Sequence, residues 1–329
     1  SYAKIVGAKP DEVVAMNTLT VNLHLMMVSF YRPTEKRHKI IIEGDAFPSD
    51  IYAVESQIKH HGLSVETSLI KLTPRNGESA IRMKDIQTII EREGEDIALV
   101  MLGGVNYYTG QVFDFETITK LAQAKGINVG FDLAHAAGNI KLELHKWGVD
   151  FAVWCSYKYL NSGPGSVAAV FVHERHHKSD LNRFAGWWGH NKEDRFKMPD
   201  NFVPIKSAEG WQLSNPPILS LAAIRASLSI FDEVGMDKLV AKSKELTNYL
   251  LYLLNTIDTD RIEIITPEER GCQLSIRVKN GNKELFDIIT EKGVIADWRE
   301  PDVIRIAPVP LYNSFEDVFK FYSIIKEVI

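Results

Sequence analysis

Up to about residue 175 the chain alternates two kinds of hydrophobic pattern. Short apolar runs rich in branched residues, at 39–43, 97–102, 127–131, 151–155 and 167–173, predict buried strands. Between them, 83–93 carries apolar residues at Ile86, Ile89 and Ile90, and 115–124 carries Ile118, Leu121 and Ala122, the spacing of one helix face. Strands alternating with helices predict an α/β fold whose mostly parallel sheet is covered on both faces, because parallel neighbours need a crossover connection. Ligands in such sheets sit beyond the C-terminal ends of the strands, so chemistry is expected just after each apolar run.

After about residue 218 the pattern changes. Helical spacing over 219–234 and 236–257 leads into strand-like 261–266 and 273–278, a helix over 283–291, a strand over 303–307 and a last helix from Ser314. This predicts an α+β unit without the earlier alternation. The boundary falls within 232–237, giving a large domain of 1–234 and a small C-terminal domain of 235–329. No internal repeat, low-complexity tract or glycine-serine linker intervenes.

Composition narrows the class. With 329 residues, 45% hydrophobic and 25% charged, the chain fits a globular core and excludes disordered, collagen-like and coiled-coil readings. Cys155 and Cys272 are too few for a disulfide framework or a cysteine-rich zinc site, so no metal is expected and a reducing compartment fits. The balance of 38 Lys+Arg against 43 Asp+Glu, net −5, supplies no global field for nucleic acid or an anionic membrane. The short clusters Arg37-His38-Lys39 and Arg175-His176-His177-Lys178 read as solvated surface. The longest apolar run, 97–105, is about half of what a membrane-spanning helix needs and reads as a buried strand. No charged-then-apolar leader follows Ser1, so a cytoplasmic location is expected, and a start other than Met points to further sequence upstream.

The candidate chemistry lies at two strand ends. The run 128–131 is followed by Asp132-Leu133-Ala134-His135, and the run 151–155 by Ser156-Tyr157-Lys158-Tyr159. Both tips are expected in one crevice, where a carboxylate, an imidazole and a lysine suit pyridoxal phosphate: Asp132 against the protonated pyridine nitrogen, Lys158 forming the Schiff base. Alone, each has a plainer reading, a solvated lysine and a turn or helix-capping aspartate. A phosphate needs its own cradle, and Asn17-Thr18-Leu19-Thr20 before the apolar helix 21–28 has the form of a helix N-terminus with hydroxyl donors, or of a plain cap by Thr18 or Thr20. Phe47-Pro48-Ser49-Asp50 offers an aromatic plane beside a polar turn, although a phenylalanine there is usually core.

Seven runs, in this order, resemble kynureninase: Asn17-Thr18-Leu19-Thr20-Val21-Asn22, Phe47-Pro48-Ser49-Asp50, Tyr108-Thr109-Gly110-Gln111, Gly130-Phe131-Asp132-Leu133-Ala134-His135, Trp154-Cys155-Ser156-Tyr157-Lys158-Tyr159-Leu160-Asn161, Ser214-Asn215-Pro216-Pro217 and Arg305-Ile306-Ala307-Pro308. The resemblance covers essentially the whole chain and is nearest to the animal-type enzymes. It implies fold type I of the pyridoxal phosphate enzymes, the aspartate-aminotransferase superfamily. It also implies Lys158 as the Schiff-base lysine, Asp132 on the pyridine nitrogen, Phe47 stacked on the ring, and the phosphate held by the Leu19 backbone, Thr20 and the Tyr157 phenol. Pro48, Ser49, Asp50 and His135 match positions beside the cofactor. Trp187, in Gly186-Trp187-Trp188-Gly189, and Asn215 match positions that complete the pocket of a neighbouring subunit in a homodimer, and Arg305 matches the arginine that takes the substrate α-carboxylate. Without the resemblance, Trp187 reads equally as interface filling, Asn215 as a pre-proline turn and Arg305 as a surface ion pair.

The implied reaction is hydrolysis of a carbon–carbon bond in L-kynurenine or 3-hydroxy-L-kynurenine, giving anthranilate or 3-hydroxyanthranilate and L-alanine, in tryptophan breakdown and NAD synthesis. Two departures stand out. Gly103 occupies a place where related enzymes carry a serine near the cofactor, and the family has a further N-terminal region ahead of the stretch matched here. The apolar helix 21–28 and the Trp187-Trp188 pair are the expected dimer surfaces. The rival readings are an aminotransferase or cysteine desulfurase of the same fold, for which neither cysteine suits a mobile catalytic loop, and a non-catalytic paralogue.

Overall fold

The computed structural model describes residues 1–279, 281 and 283–329, and the chain divides into two compact units. The first is built from Ser1–Thr73, Ile81–Gly104 and Phe113–Glu233, the second from Pro74–Ala80, Val105–Val112 and Val234–Ile329. Two stretches that the sequence pattern leaves inside the first domain thus group with the second.

The first unit holds a seven-stranded sheet: β1 (Val13–Ala15), β2 (Lys39–Glu43), β3 (Leu69–Leu72), β4 (Ile97–Gly103), β5 (Asn128–Asp132), β6 (Phe151–Trp154) and β7 (Ala169–Val172), in the order β1-β7-β6-β5-β4-β2-β3. Strands β3, β2, β4, β5 and β6 run parallel; β7 is antiparallel to β6, and β1 to β7. The sheet is therefore mostly parallel, as the strand-helix alternation predicts. Its helices are α1 (Tyr2–Val6), α2 (Leu19–Phe30), α3 (Pro48–His60), α4 (Val65–Ser68), α5 (Met83–Glu93), α6 (Phe115–Gln123), α7 (Leu144–Trp147) and α8 (Ile218–Val234).

Side chains alternate across a strand, so β2 divides its isoleucines between the two faces. Ile40 and Ile42 join a core with Leu23, Met26 and Met27 of α2 and Val54 and Ile58 of α3. On the other face α6 lies on β5, the rings of Phe115 and Phe131 meeting at a centroid distance of 4.5 Å. The expectation that 21–28 forms a dimer surface is corrected here: Leu23, Met26 and Met27 are fully buried, and of this helix Val21 is the large apolar residue left 46% exposed. A helix apolar on all sides is a core helix, and each such side chain stabilises the fold by about 1.5–3 kcal/mol. The basic clusters are also tied inward. Arg37 donates to the carbonyls of Gly94 and Ile97, Lys39 pairs with Glu93, His177 is buried, and Arg175 and His176 share the buried Asp150 carboxylate.

The second unit holds an antiparallel sheet in the order β10-β11-β9-β8, from β8 (Ile262–Ile264), β9 (Leu274–Val278), β10 (Asp297–Arg299) and β11 (Val303–Ile306). Helices α9 (Met236–Leu254), α10 (Glu284–Glu291) and α11 (Phe315–Val328) build its core, where Leu246 and Leu250 meet Ile276, Ile304 and Phe321.

Candidate active site

Strand β5 delivers Asp132 at its last position. The neighbouring tip of β6 leads through Cys155 and Ser156 to Tyr157 and Lys158. Asp132 is 8% exposed, and one of its oxygens accepts from the Ala134 amide at 2.7 Å, which turns the chain after the strand. His135 follows on that turn, equally buried, with its carbonyl held by Asn139. Its Nε2 is 3.2 Å from Nζ of Lys158, so the two strand ends do share one crevice. Nζ also lies 5.6 Å from the centre of the Phe47 ring, which is 43% exposed and therefore not core.

Asp50, in the first turn of α3, reaches the same place from the other side. Burial pushes its carboxyl well above the usual range, followed by the charge of Asp132 and a hydrogen bond to it. Burial raises Asp132 as well, while its bond from Asp50 pulls it down. Both carboxyls are thus raised, chiefly by burial, and as close neighbours they titrate as a pair.

Two helix N-termini meet nearby. Thr20, the second residue of α2, and Ser49, the second of α3, bring their hydroxyls to 2.8 Å, and Pro48 opens α3 at a position that needs no amide donor. Leu19 is the first residue of α2, so its backbone amide is at the positive end of the helix, where an anion would be favoured. Thr18 makes no capping bond through its side chain, which removes the plainer reading for it. The entry to α2 is instead fixed by Asn17 in a left-handed conformation (φ 50°) and by the fully buried Asn22, which takes Asn17 Nδ2 and donates to the Met16 carbonyl. Tyr157 is half-exposed, and burial of its remainder pushes the phenol up to about 12, so it is a donor throughout the neutral range.

These groups fit pyridoxal phosphate on their chemistry alone: an amine, a charged carboxylate for a cationic ring nitrogen, an exposed aromatic face, and hydroxyls at two helix N-termini for a phosphate. At the end of β4, in register with Asp132, the amide of Gly103 donates to Glu43 at 2.5 Å. Glu43, buried at the end of β2, went unnoticed in the sequence; a carboxylate closing an apolar strand is its only signal.

The remaining expected residues are carried by later stretches of the chain. Trp187, in a short 3-10 turn, is 43% exposed and donates its indole N–H to the Arg195 carbonyl. Asn215 is exposed and lines a cavity of about 320 Å³ with Asn17, Thr18 and Ser166. In the second unit, Arg305 on β11 is bound to Asp297 and to the carbonyl of Tyr107. Cys155 is buried and its thiol is pushed up by that burial, the reverse of what a nucleophilic cysteine requires. Glu12, His145 and His173 bring ligand-type atoms together away from this site, but each is engaged in a hydrogen bond: His145 Nδ1 to Glu12, His173 Nδ1 from the Arg175 amide, and Glu12 also from the Glu174 amide.

Among solved structures, the chain is similar to a cysteine desulfurase from Thermococcus onnurineus (TM-score 0.81, 16% identity, 99% of this chain and 81% of that one) and to an alanine–glyoxylate aminotransferase from Nostoc (TM-score 0.73, 15% identity, 99% and 84%). Fold and site together define a fold type I pyridoxal phosphate-dependent enzyme. Residues 239–325 match the kynureninase C-terminal domain. The chain is 59% identical over 332 residues to the kynureninase of Flavobacterium psychrophilum, covering 99% of this chain and 78% of that one, and 60% identical over 323 residues to that of Koribacter versatilis, covering 97% and 76%. It belongs to the kynureninase family. Among the described residues no helix is long and apolar enough to cross a membrane.

Proposed function

We propose that the chain hydrolyses L-kynurenine or 3-hydroxy-L-kynurenine at the Cβ–Cγ bond, releasing L-alanine and anthranilate or its 3-hydroxy form. The observation that carries this reading is Lys158 set against His135 and Asp132 at the adjoining ends of β5 and β6, in a chain of this family. Bound pyridoxal phosphate supplies an electron sink for the negative charge that develops on the substrate carbons. Asp132 would pair with the ring nitrogen, with the Asp50 carboxyl beside it. Phe47 covers one face of the ring. The Leu19 backbone, Thr20, Ser49 and the Tyr157 phenol hold the phosphate.

Lys158 Nζ would anchor the cofactor and, once the substrate amine has displaced it, would take the α-proton, and His135 is within reach to hold a proton for that nitrogen. Tyr157, next in sequence to Lys158, relays a proton as water adds to the γ-carbonyl. Arg305 takes the α-carboxylate, a task suited to its planar fork. Trp187 and Asn215 complete the pocket of a second copy in a homodimer, a reading supported by their exposure and by that of the adjoining Ile218 and Leu219. The buried thiols of Cys155 and Cys272 favour the cytoplasm.

The test is an absorbance spectrum of the purified chain with pyridoxal phosphate, then L-kynurenine with anthranilate fluorescence followed in time. A visible band and anthranilate release together support the proposal. A band without anthranilate removes the substrate assignment and leaves the cofactor site. Sedimentation of the loaded chain checks the dimer, and a monomer that turns over would remove the shared pocket.

A further inference from the structure

Resting on the reading of Arg305 as the arginine for the substrate carboxylate, we propose that Asp297 is a positioning residue that presets the Arg305 guanidinium for that carboxylate, with Arg299 and Tyr107 closing the frame around it. The register of the second sheet brings the pieces together. Asp297 on β10 is directly opposite Arg305 on β11, so their side chains emerge side by side from one face. One guanidinium nitrogen of Arg305, Nη2, is bound to Oδ2 of Asp297, and the other, Nη1, donates to the carbonyl of Tyr107 at 2.9 Å.

Asp297 is itself anchored. Arg299, two residues on and therefore on the same face of β10, donates Nη2 to the same carboxylate oxygen at 2.6 Å, and its guanidinium carbon lies 5.9 Å from the centre of the Tyr107 ring. The four residues form a closed frame in which Tyr107 supports both arginines, one through its carbonyl and the other through its ring. The Arg305 side chain is 13% exposed and that of Asp297 40%, so the fixed group is the sheltered one.

The physical consequence concerns affinity. A mobile arginine loses rotamer freedom when it binds, whereas one already held by two partners has lost it on folding. Asp297 touches neither cofactor nor reacting atoms in this scheme; it acts through Arg305. Its removal lowers affinity for a carboxylate-bearing substrate and leaves the chemical step alone, because a contact equally strong in ground and transition states appears in KM.

The experiment is steady-state kinetics of the cofactor-loaded Asp297→Asn enzyme with L-kynurenine, alongside inhibition by the decarboxylated amine of the same compound. KM is expected to rise about tenfold with kcat within about twofold, the cofactor absorbance unchanged and the inhibition constant of the carboxylate-free amine unmoved. Asp297→Glu recovers part of the loss. Arg305→Ala is the control for the underlying reading: it raises KM for L-kynurenine and spares the amine. If Arg305→Ala does so while Asp297→Asn does not, the inference fails and the role of Arg305 stands; if Arg305→Ala leaves KM unchanged, both fall. Equal weakening of substrate and amine by Asp297→Asn means general damage and overturns the positioning role. Should Asp297→Asn fail to fold, Arg299→Gln removes the anchor of Asp297 and leaves Asp297 and Arg305 in place. A smaller KM rise, again confined to the carboxylate-bearing compound, supports the frame, and no rise overturns it.

Discussion

Nζ of Lys158 and Nε2 of His135 face each other at 3.2 Å across the gap between two adjacent strand ends. Which of the two nitrogens donates depends on the imidazole tautomer, and either way the contact lets one proton pass between them. Lys158→Ala is expected to abolish turnover together with the visible absorbance of the lysine-bound cofactor; substantial anthranilate release by this variant would overturn the assignment. His135→Ala keeps the absorbance and lowers kcat by about tenfold to a hundredfold, the usual worth of a placed proton acceptor. Stopped-flow measurement of proton removal from the α-carbon, with deuterated against ordinary substrate, checks it.

Much of this arrangement is legible in the chain because it follows from strand ends. Asp132 and Lys158 each close a run of apolar residues, and a parallel sheet brings such ends together. What escapes the sequence has physical reasons. Strands β1 and β10 are three residues long, and β3, an edge strand, fully buries only Leu72, so none shows a period. Helix α2 is apolar on every side, and such a pattern does not say whether core or another chain covers it. Glu43 meets the Gly103 amide of a strand 60 residues further on, and Asp297 meets Arg305 through the pairing of β10 with β11, contacts that follow from the sheet register and leave no periodic mark in the sequence.

The acid pair of Asp50 and Asp132 makes the cofactor-free chain sensitive to pH. Burial raises the Asp50 carboxyl in the folded state, so the folded chain holds that proton more tightly than the unfolded one. Its stability is complete below the ordinary carboxylate range and declines as pH rises from there toward the raised folded value. Asp50→Asn removes its share of the decline and leaves that of Asp132, whose carboxyl burial also raises. At pH 8 the cofactor-free variant is expected to be more stable than the parent by on the order of 1 kcal/mol, and to be the poorer enzyme, since the carboxyl beside Asp132 is lost. Thermal melts at pH 5 and pH 8 decide it, an unchanged pH dependence in the variant counting against the account.

The hydroxyls of Thr20 and Ser49, 2.8 Å apart at the starts of α2 and α3, form a single cradle. Thr20→Val and Ser49→Ala are each expected to weaken pyridoxal phosphate binding by about threefold to tenfold, the worth of one hydrogen bond. Because the groups bond each other, the double variant loses less than the sum. Titration with pyridoxal lacking the phosphate provides the contrast: its binding is unaffected by either change, and an equal loss there would place the hydroxyls away from the phosphate.

Two residues before Asp132, Gly130 leaves room for the ring of Phe151 on the neighbouring strand. A Cβ at Gly130 would lie 2.1 Å from the ring carbon Cζ, and the ring is confined on its far side by Phe30, stacked at 4.9 Å. The two strands are paired at this point, Gly130 opposite Phe151, so neither backbone yields without disturbing the ladder that delivers Asp132. Gly130→Ala is therefore expected to destabilise the fold by about 1–3 kcal/mol through overpacking and to loosen cofactor binding by displacing the end of β5. In a Phe151→Leu background the added methyl has space and its cost shrinks, although Phe151→Leu carries a cost of its own. Chemical denaturation of the four proteins measures the coupling between the two positions. Additive costs would mean that Phe151 is not what reserves this position for glycine.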